Sequence, residues 1–199
     1  MVLNISALHV MGISNKIRKI DNMSTVFTIA DIQALLNESD QKSIYNALSY
    51  SAREGEIYKI SDGIYALSMN YSKKEFANKY RKPSYISLYT VLQENGVVFQ
   101  PYSSIYVITN RFEEAEFEGQ KYIYRKIKDE ILLNPFGIEN TDGVAIASTE
   151  RAICDKLYLD GDEYFDNLRN IRWDFMKALN EKVFQQNLII SEFITKYSK

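Results

Sequence analysis

The fold is decided by residues 25–67, which read TVFTIADIQALLNESDQKSIYNALSYSAREGEIYKISDGIYAL. Val26 and Phe27 are consecutive residues of types that are common in strands. Apolar residues then recur every three or four positions across two segments separated by a short polar turn, which is the spacing of amphipathic helices. The last part carries an Asp-Gly pair between two apolar runs, which is typical of a β-hairpin. The predicted order is therefore strand, helix, turn, helix and hairpin.

The first of these helices has a clear start signal. Thr28 precedes Asp31 by three positions, which is the spacing of a capping box, where two side chains satisfy backbone amides that the helix leaves unpaired. Residues 37–40 form a polar turn, and Ser39 or Asp40 can cap the second helix. The apolar face of the first helix is formed by Ile29, Ile32, Leu35 and Leu36.

The second helix has an apolar stripe and an opposite polar face. Gly55 suits its end, because a left-handed residue commonly follows a helix. Residues 57–60 and 64–67 then form a hairpin around residues 61–63. Two helices across a short turn, followed by a hairpin, are the parts of a winged helix-turn-helix, in which the second helix enters the DNA major groove. The stripe is formed by Ile44, Ala47, Leu48 and Ala52.

The polar face of the second helix is the first candidate site. Its amide side chains can pair with adenine, its lysine can reach guanine or phosphate, and its serine can contact either. Any surface helix also has a solvated polar face, and that interpretation stays open beside the DNA interpretation. Tyr45 is ambiguous, because it can pack against the wing or contact a phosphate. The candidate base-contacting residues are Gln41, Lys42, Ser43 and Asn46.

A second set of residues is predicted to contact the phosphodiester backbone. Such contacts position a protein on DNA but do not read its sequence. Asp62 at the wing tip, with Glu54 and Glu56 beside the wing, would repel phosphate. For the basic cluster at residues 73–82, a solvated helix is an equally good interpretation. The candidate phosphate-contacting residues are Arg53, Lys59 and Ser61 near the wing, Lys16, Arg18 and Lys19 before it, and Lys73 and Lys74 after it.

Charge is distributed unevenly along the 199 residues. The whole chain has a formal net charge of −2, so no protein-wide basic field attracts nucleic acid. Residues 1–69 carry −1, residues 70–82 carry +4 and residues 83–199 carry −5. A DNA-binding surface on this chain would therefore be local.

Four segments are predicted from these patterns. Residues 1–14 are a loosely held leader, and residues 15–69 are the winged helix-turn-helix, which begins with a short helix in residues 15–24. Residues 70–82 are a basic linker helix, ending before Pro83, because the residue before a proline disfavours helical geometry. Residues 83–199 are a second domain of mixed strands and helices. The chain as a whole is predicted to be α+β.

The elements of the second domain follow from the same periodicities. Helices are predicted at residues 84–95, 149–159, 164–179 and 182–197. Strands are predicted at residues 97–99, 105–109, 115–117, 122–127 and 144–147, with a hairpin around residues 118–120.

The sequence contains no arrangement typical of a catalytic or metal site. With one cysteine, Cys154, and one histidine, His9, the chain cannot build a His/Cys zinc site or an internal disulfide. Cys154 lies in an amphipathic pattern and is predicted to be a packed residue. The acidic run at residues 160–163 lacks the spaced oxygen ligands of a calcium loop. We therefore expect no cofactor, no metal, no enzymatic activity, no membrane span and a cytoplasmic location.

Several phrases of the sequence resemble the AbiEi family of antitoxins from type IV toxin–antitoxin systems. The strand at residues 63–67 reads GIYAL, and a proline then precedes a helix-like phrase, PSYISLYTVL, at residues 83–92. A strand phrase, IYVIT, follows at residues 105–109, and residues 147–158 read ASTERAICDKLY. The resemblance spans residue 15 to the C-terminus. Wings in the family are often arginine-rich, whereas residues 59–63 here read KISDG.

The resemblance implies a bacterial, plasmid or phage-defence (abortive infection) regulator with an antitoxin-type C-terminal domain. The winged helix would bind double-stranded DNA at inverted repeats in the promoter of its own operon and repress it. The C-terminal domain would counteract a nucleotidyltransferase toxin from the same operon, without requiring a stable complex. Two other classes stay open: an interaction module whose winged helix binds protein, and a DNA-processing enzyme with metal-dependent activity.

Overall fold

The computed structural model describes residues 12–21 and 23–198, and this part of the chain is a mixed α+β protein with nine helices and two sheets. The chain divides into two compact units, one ending at Tyr80 and the other beginning at Arg81. Among the described residues, no helix is both long and apolar enough to cross a membrane. The predicted α+β class is confirmed. His9 and most of the predicted leader, residues 1–14, lie outside the described residues.

The first unit places three helices and a small sheet before a fourth helix. The sheet is antiparallel, with the third strand between the first and the second. The elements are α1 (Ile13–Ile20), β1 (Val26–Thr28), α2 (Ile29–Leu36), α3 (Gln41–Arg53), β2 (Tyr58–Ser61), β3 (Ile64–Ala66) and α4 (Lys73–Tyr80). Helix α1 begins two residues earlier than predicted, because Ile13 and Ser14 are buried in the unit and are not part of an exposed leader.

The predicted helix boundaries in the first unit are confirmed by their caps. The Thr28 hydroxyl accepts a hydrogen bond from the Asp31 amide at 3.1 Å, and the Asp31 carboxylate accepts one from the Thr28 amide at 3.0 Å. The Asp40 carboxylate caps α3 by accepting from the Lys42 amide at 3.1 Å. Gly55, with φ of +73°, is the second residue after α3 and has the left-handed conformation that is common just beyond a helix end.

The core of the first unit is built by the predicted apolar faces. Ile32 of α2 and Ile44 and Leu48 of α3 are buried against one another, while the alanines of the predicted stripe are partly buried beside them. The other elements contribute Ile17 from α1, Phe27 from β1, Ile57 and Tyr65.

Helix α4, predicted as part of a linker, is packed within the first unit against β1. Its Glu75 side chain is buried and accepts hydrogen bonds from the amide and the hydroxyl of Thr25 at 2.8 and 2.6 Å. The other Glu75 oxygen forms an ion pair with Lys79 at 3.1 Å, and Lys79 also contacts Asp31 at 3.2 Å and the carbonyl of Val26. The helix is therefore joined to β1 by a hydrogen bond and to α2 by an ion pair.

The second unit is centred on a six-stranded mixed sheet in the order β6-β7-β5-β4-β9-β8. Its pairs β5–β7 and β4–β9 are parallel, and the other neighbours are antiparallel. The strands are β4 (Ser84–Ile86), β5 (Ile105–Thr109), β6 (Glu113–Phe117), β7 (Gln120–Lys126), β8 (Ile138–Thr141) and β9 (Val144–Ala147). The helices are α5 (Leu88–Glu94), α6 (Asp129–Leu132), α7 (Thr149–Asp160), α8 (Trp173–Lys182) and α9 (Leu188–Tyr197).

Four predictions for the second unit are wrong. The helix predicted from residue 84 begins only at Leu88, because residues 84–86 pair as β4 between β5 and β9. Residues 97–99 are not a strand, since the Val97 amide bonds back to Leu92 in the turn after α5. Residues 164–172 are not helical, because the amide of Asn167 bonds to Val97 and the carboxylate of Asp166 accepts from the amide of Phe99. The helix predicted from residue 182 begins only at Leu188, because residues 183–187 form a turn in which Gln185 and Gln186 have positive φ. Strand β8 and helix α6 are not among the predicted elements.

A buried charged network fixes helix α7 in the second unit. Arg151 is fully buried, and its guanidinium donates to the carboxylate of Asp155 at 3.1 Å and to the hydroxyl of Tyr85 at 2.8 Å. Its remaining N–H groups donate to the backbone carbonyls of Ile131, Asn134 and Phe136 at 2.8–3.3 Å. All five donors of a guanidinium are thus used.

Asp155, the carboxylate of this network, is equally enclosed. It also accepts hydrogen bonds from Tyr85 at 3.1 Å and Ser87 at 2.8 Å. Burial raises the pKa of Asp155, even though Arg151 and the two hydroxyls favour its charged form. The pair therefore connects α7 to β4 and to the residue that follows it.

We expect Glu75→Gln to lower the free energy of unfolding of the first unit by about 2 kcal/mol, because a buried carboxylate with charged partners is lost. Urea unfolding followed by circular dichroism, with hydrogen exchange at the amides of Thr25 and Val26, measures this. Glu54→Gln is the matched control, since Glu54 is exposed, and should change stability by less than about 0.5 kcal/mol. Equal effects of the two changes would contradict the role assigned to Glu75.

We expect Arg151→Met to destabilise the second unit by about 3–5 kcal/mol, because Asp155 would remain buried without its cation. The single tryptophan, Trp173, lies in this unit and reports its urea unfolding by fluorescence. Arg169→Met, at an exposed position of the same unit, is the control. A loss below about 1 kcal/mol for Arg151→Met would show that the network is not needed for stability.

Candidate nucleic-acid interface

Helix α3 presents a continuous polar face to solvent. Its buried side is formed by Ile44, Leu48 and Ser51. At 3.6 residues per turn, the side chains farthest from that stripe are those of Lys42, Asn46 and Arg53. All of the predicted α3 contact residues are exposed, namely Gln41, Lys42, Ser43, Asn46 and Arg53.

Two tyrosines of α3 flank this polar face. Tyr45 is 52% exposed and Tyr50 is 57% exposed, which is high for a large aromatic side chain. The guanidinium of Arg53 lies 6.0 Å from the centre of the Tyr50 ring. Tyr45 is close enough to Lys59 of the hairpin to interact with it electrostatically. The tyrosines therefore extend the polar surface with stacking and hydroxyl groups.

The hairpin presents a paired cation at its tip. Lys59 Nζ lies 2.7 Å from the Asp62 carboxylate, and both side chains are solvent-exposed. The hydrogen bond that Lys59 donates to Asp62, together with the negative charge of Asp62, raises the pKa of Lys59, and the same contact lowers the pKa of Asp62. Both groups are therefore charged at neutral pH, and each neutralises the other.

Ser61, a predicted phosphate contact, is not presented to solvent. The strand register shifts between Lys59 and Ser61, so these two residues do not point to the same face as they would in a regular strand. The Ser61 hydroxyl is buried. In this arrangement it cannot reach a phosphate on the outside of the hairpin.

One acid beside the hairpin is held against the unit itself. The Glu56 carboxylate accepts hydrogen bonds from Ser51 of α3 at 2.9 Å and from Ser14 of α1 at 3.4 Å. A Cβ atom at Gly12 would lie 2.6 Å from the end of the same side chain, so a larger residue there would displace the Glu56 carboxylate. Nothing in the spacing of these residues indicates the contact, because they are brought together only by the packing of α1 on α3.

The basic residues outside α3 have structural partners in several cases. Arg18 donates to the carbonyl of Leu67 at 2.7 Å, and Lys73 lies 3.9 Å from the centre of the Tyr71 ring. Lys16 is half-buried, and burial lowers its pKa. Lys19 is exposed and Lys74 is half-buried. Lys79, which belongs to the predicted basic cluster at residues 73–82, is held in ion pairs with Glu75 and Asp31.

The ionisable residues of α7 and the loop after it are engaged in structural contacts. Cys154 is completely buried, and burial raises the pKa of its thiol well above the ordinary value. Lys156 forms ion pairs with Asp160 at 2.8 Å and with Glu163 at 2.5 Å. Asp160 also pairs with Arg125 at 2.6 Å. Within the described ranges, no group of three histidine, cysteine or acidic side chains is placed to hold a metal ion.

The predicted DNA-binding residues on α3 are thus exposed, whereas several of those elsewhere already contact other residues of the first unit. The structure brings the α3 residues together on one face and turns the Ser61 hydroxyl away. The exposed tyrosines add to the face that the polar pattern indicated. No protein-family model matches the sequence, and no curated protein matches it.

Proposed function

We propose that the first unit is a winged helix-turn-helix that binds double-stranded DNA, and that the protein represses its own operon. The observation that carries this proposal is the continuous exposed polar face of α3, which follows a capped turn and precedes an antiparallel hairpin. A second helix and wing in this order suit insertion of the helix into the major groove. A regulator of this kind acts in the cytoplasm.

Asn46 is the residue best suited to read a base. It lies near the middle of the exposed face, one turn after Lys42 and about two turns before Arg53. An asparagine amide can form two hydrogen bonds with adenine, whereas the two cations can bind guanine or phosphate. The tyrosine hydroxyls beside them can contact the sugar-phosphate backbone.

We further propose that the second unit acts as the antitoxin part and counteracts a nucleotidyltransferase toxin encoded in the same operon. This part rests on the resemblance of residues 147–158 and 83–92 to the AbiEi antitoxins. The first of these phrases forms the end of β9 and most of α7. The proposal includes no catalytic role for its residues, since Cys154 is enclosed and Asp155 is bound to Arg151.

A protein-binding role for the same face of α3 is the second candidate. Aromatic residues are enriched at protein interfaces, and Tyr45, Tyr50 and Tyr58 are all exposed on α3 and β2. The wing tip, where Asp62 neutralises Lys59, is also better suited to a protein than to phosphate. This role predicts a stable complex with the product of the neighbouring gene and no salt-sensitive binding to DNA.

We expect the protein to retard a duplex containing the promoter of its own gene, with affinity falling as salt rises because bound phosphates release counterions. Asn46→Ala should weaken promoter binding by about tenfold to a hundredfold, since a bidentate base contact is worth about 1–3 kcal/mol. Binding to random duplex should change much less. A gel-shift titration at several salt concentrations measures both.

The control for this titration is Asn170→Ala, at an exposed asparagine of the second unit. It should leave both affinities unchanged. No preference of the unaltered protein for its promoter over random DNA would refute the repressor role. A tight complex with the neighbouring gene product, together with an absence of DNA binding, would favour the protein-binding alternative.

We expect the neighbouring reading frame to encode a nucleotidyltransferase whose expression arrests growth, and co-expression of the full chain to restore it. Growth curves with separately inducible genes measure the effect. Asn46→Ala should still rescue growth, because the DNA-reading face is not needed for neutralisation when both genes have foreign promoters. Failure of the unaltered chain to rescue growth would remove the antitoxin part and leave the repressor part standing.

A further inference from the structure

We propose that Asp62 weakens the binding of DNA. Its carboxylate pairs with Lys59, the only cation of the hairpin, and keeps that cation from DNA phosphates. This inference rests on the proposed DNA-binding function and specifies how the hairpin regulates its affinity. The ligand concerned is the phosphodiester backbone of a duplex.

The geometry of the hairpin tip supports this role. Lys59 is the only basic residue in residues 57–67, and its Nζ lies 2.7 Å from the Asp62 carboxylate. Asp62 is fully exposed, with a side-chain exposure of 102%, so its carboxylate faces the same solvent that a phosphate would occupy. A phosphate approaching Lys59 would have to displace Asp62 and would then lie beside its negative charge.

The groups that act most strongly on the charge of Lys59 are not basic. They include Asp62 and the phenols of Tyr45 and Tyr65. Tyr65 lies opposite Lys59 in the strand register. The tip is thus neutral while the pair is intact. A hairpin with a neutral tip contributes little to the free energy of binding a polyanion such as DNA.

The pair itself is easily broken. An ion pair between exposed side chains contributes little to stability, because water screens both charges. Removing the Asp62 carboxylate therefore releases Lys59 without loss of the fold. Asn suits this turn as well as Asp does, and Gly63 keeps its left-handed conformation with φ of +73°. Asp62→Asn is consequently a change of charge in an unchanged hairpin.

The expected result is a gain in affinity for DNA of any sequence. In titrations with the full chain, Asp62→Asn should bind both promoter and random duplex about three- to tenfold more tightly at about 50 mM salt. One additional phosphate contact should steepen the salt dependence by about one unit of slope, so that the gain shrinks about threefold by about 200 mM salt.

Asp174→Asn is the matched control. Asp174 forms an exposed ion pair with Lys177, three residues away, at 3.3 Å in the second unit, so its removal changes the net charge and breaks the same kind of pair. It should not alter affinity. The double variant Lys59→Gln with Asp62→Asn should lose most of the gain, because the released cation is absent. Thermal unfolding curves that coincide for all variants establish that the fold is retained.

Three outcomes overturn the inference. If the unaltered protein binds its promoter and Asp62→Asn binds no more tightly, Asp62 does not weaken DNA binding. If the gain persists in the Lys59→Gln background, or equals that of Asp174→Asn, it does not come from release of Lys59. If neither the unaltered protein nor Asp62→Asn binds DNA although both are folded, the proposed DNA-binding function fails as well.

Discussion

A charged group is costly to bury in a protein unless hydrogen bonds or an opposite charge compensate it, and both units of this chain depend on that constraint. In the first unit, one oxygen of the buried Glu75 carboxylate accepts hydrogen bonds from Thr25, and the other, which accepts none, is compensated by the ion pair with Lys79. In the second unit, Arg151 and Asp155 are enclosed together and satisfied by hydroxyls and carbonyls from three other parts of the unit. Each network connects a helix to other parts of its unit.

This constraint also decides which charges are left for a partner. A cation that satisfies a buried carboxylate cannot leave it for a phosphate without exposing the carboxylate to an uncompensated cost. Lys79 is in this position, and Arg81 of the second unit is bound to Glu113 at 2.6 Å. The basic run at residues 73–82 is therefore less available than its density of charge indicates. The donors of α3 do not have this restriction, which is why the proposed recognition of DNA is centred on Lys42, Asn46 and Arg53.

The sequence predicted the parts that depend on local chemistry. The Thr28–Asp31 capping box, a cap from Ser39 or Asp40 and the polar face of α3 follow from short-range patterns in the sequence. All three are present, with Asp40 as the cap. It did not predict contacts between distant residues. Glu75 reads as one acid in a solvated basic helix, and its partner Thr25 is fifty positions away. Residues 84–86 fit a helix by periodicity, but the two neighbouring strands pair with them and override that preference.

Residues 147–158 show why unpredicted contacts between distant residues matter for a functional interpretation. Their resemblance to the AbiEi antitoxins supports the proposed antitoxin role of the second unit, yet their charged residues face inward. Glu150 is buried and held by two hydrogen bonds from the Arg172 side chain at 3.0 and 2.9 Å, and although burial alone would raise its pKa, these bonds lower it. Arg151 and Asp155 are enclosed as well. A toxin or any other partner could not contact these buried groups, so residues 147–158 serve as a structural scaffold. The residues that act on a partner have to be sought among the exposed side chains that this scaffold positions.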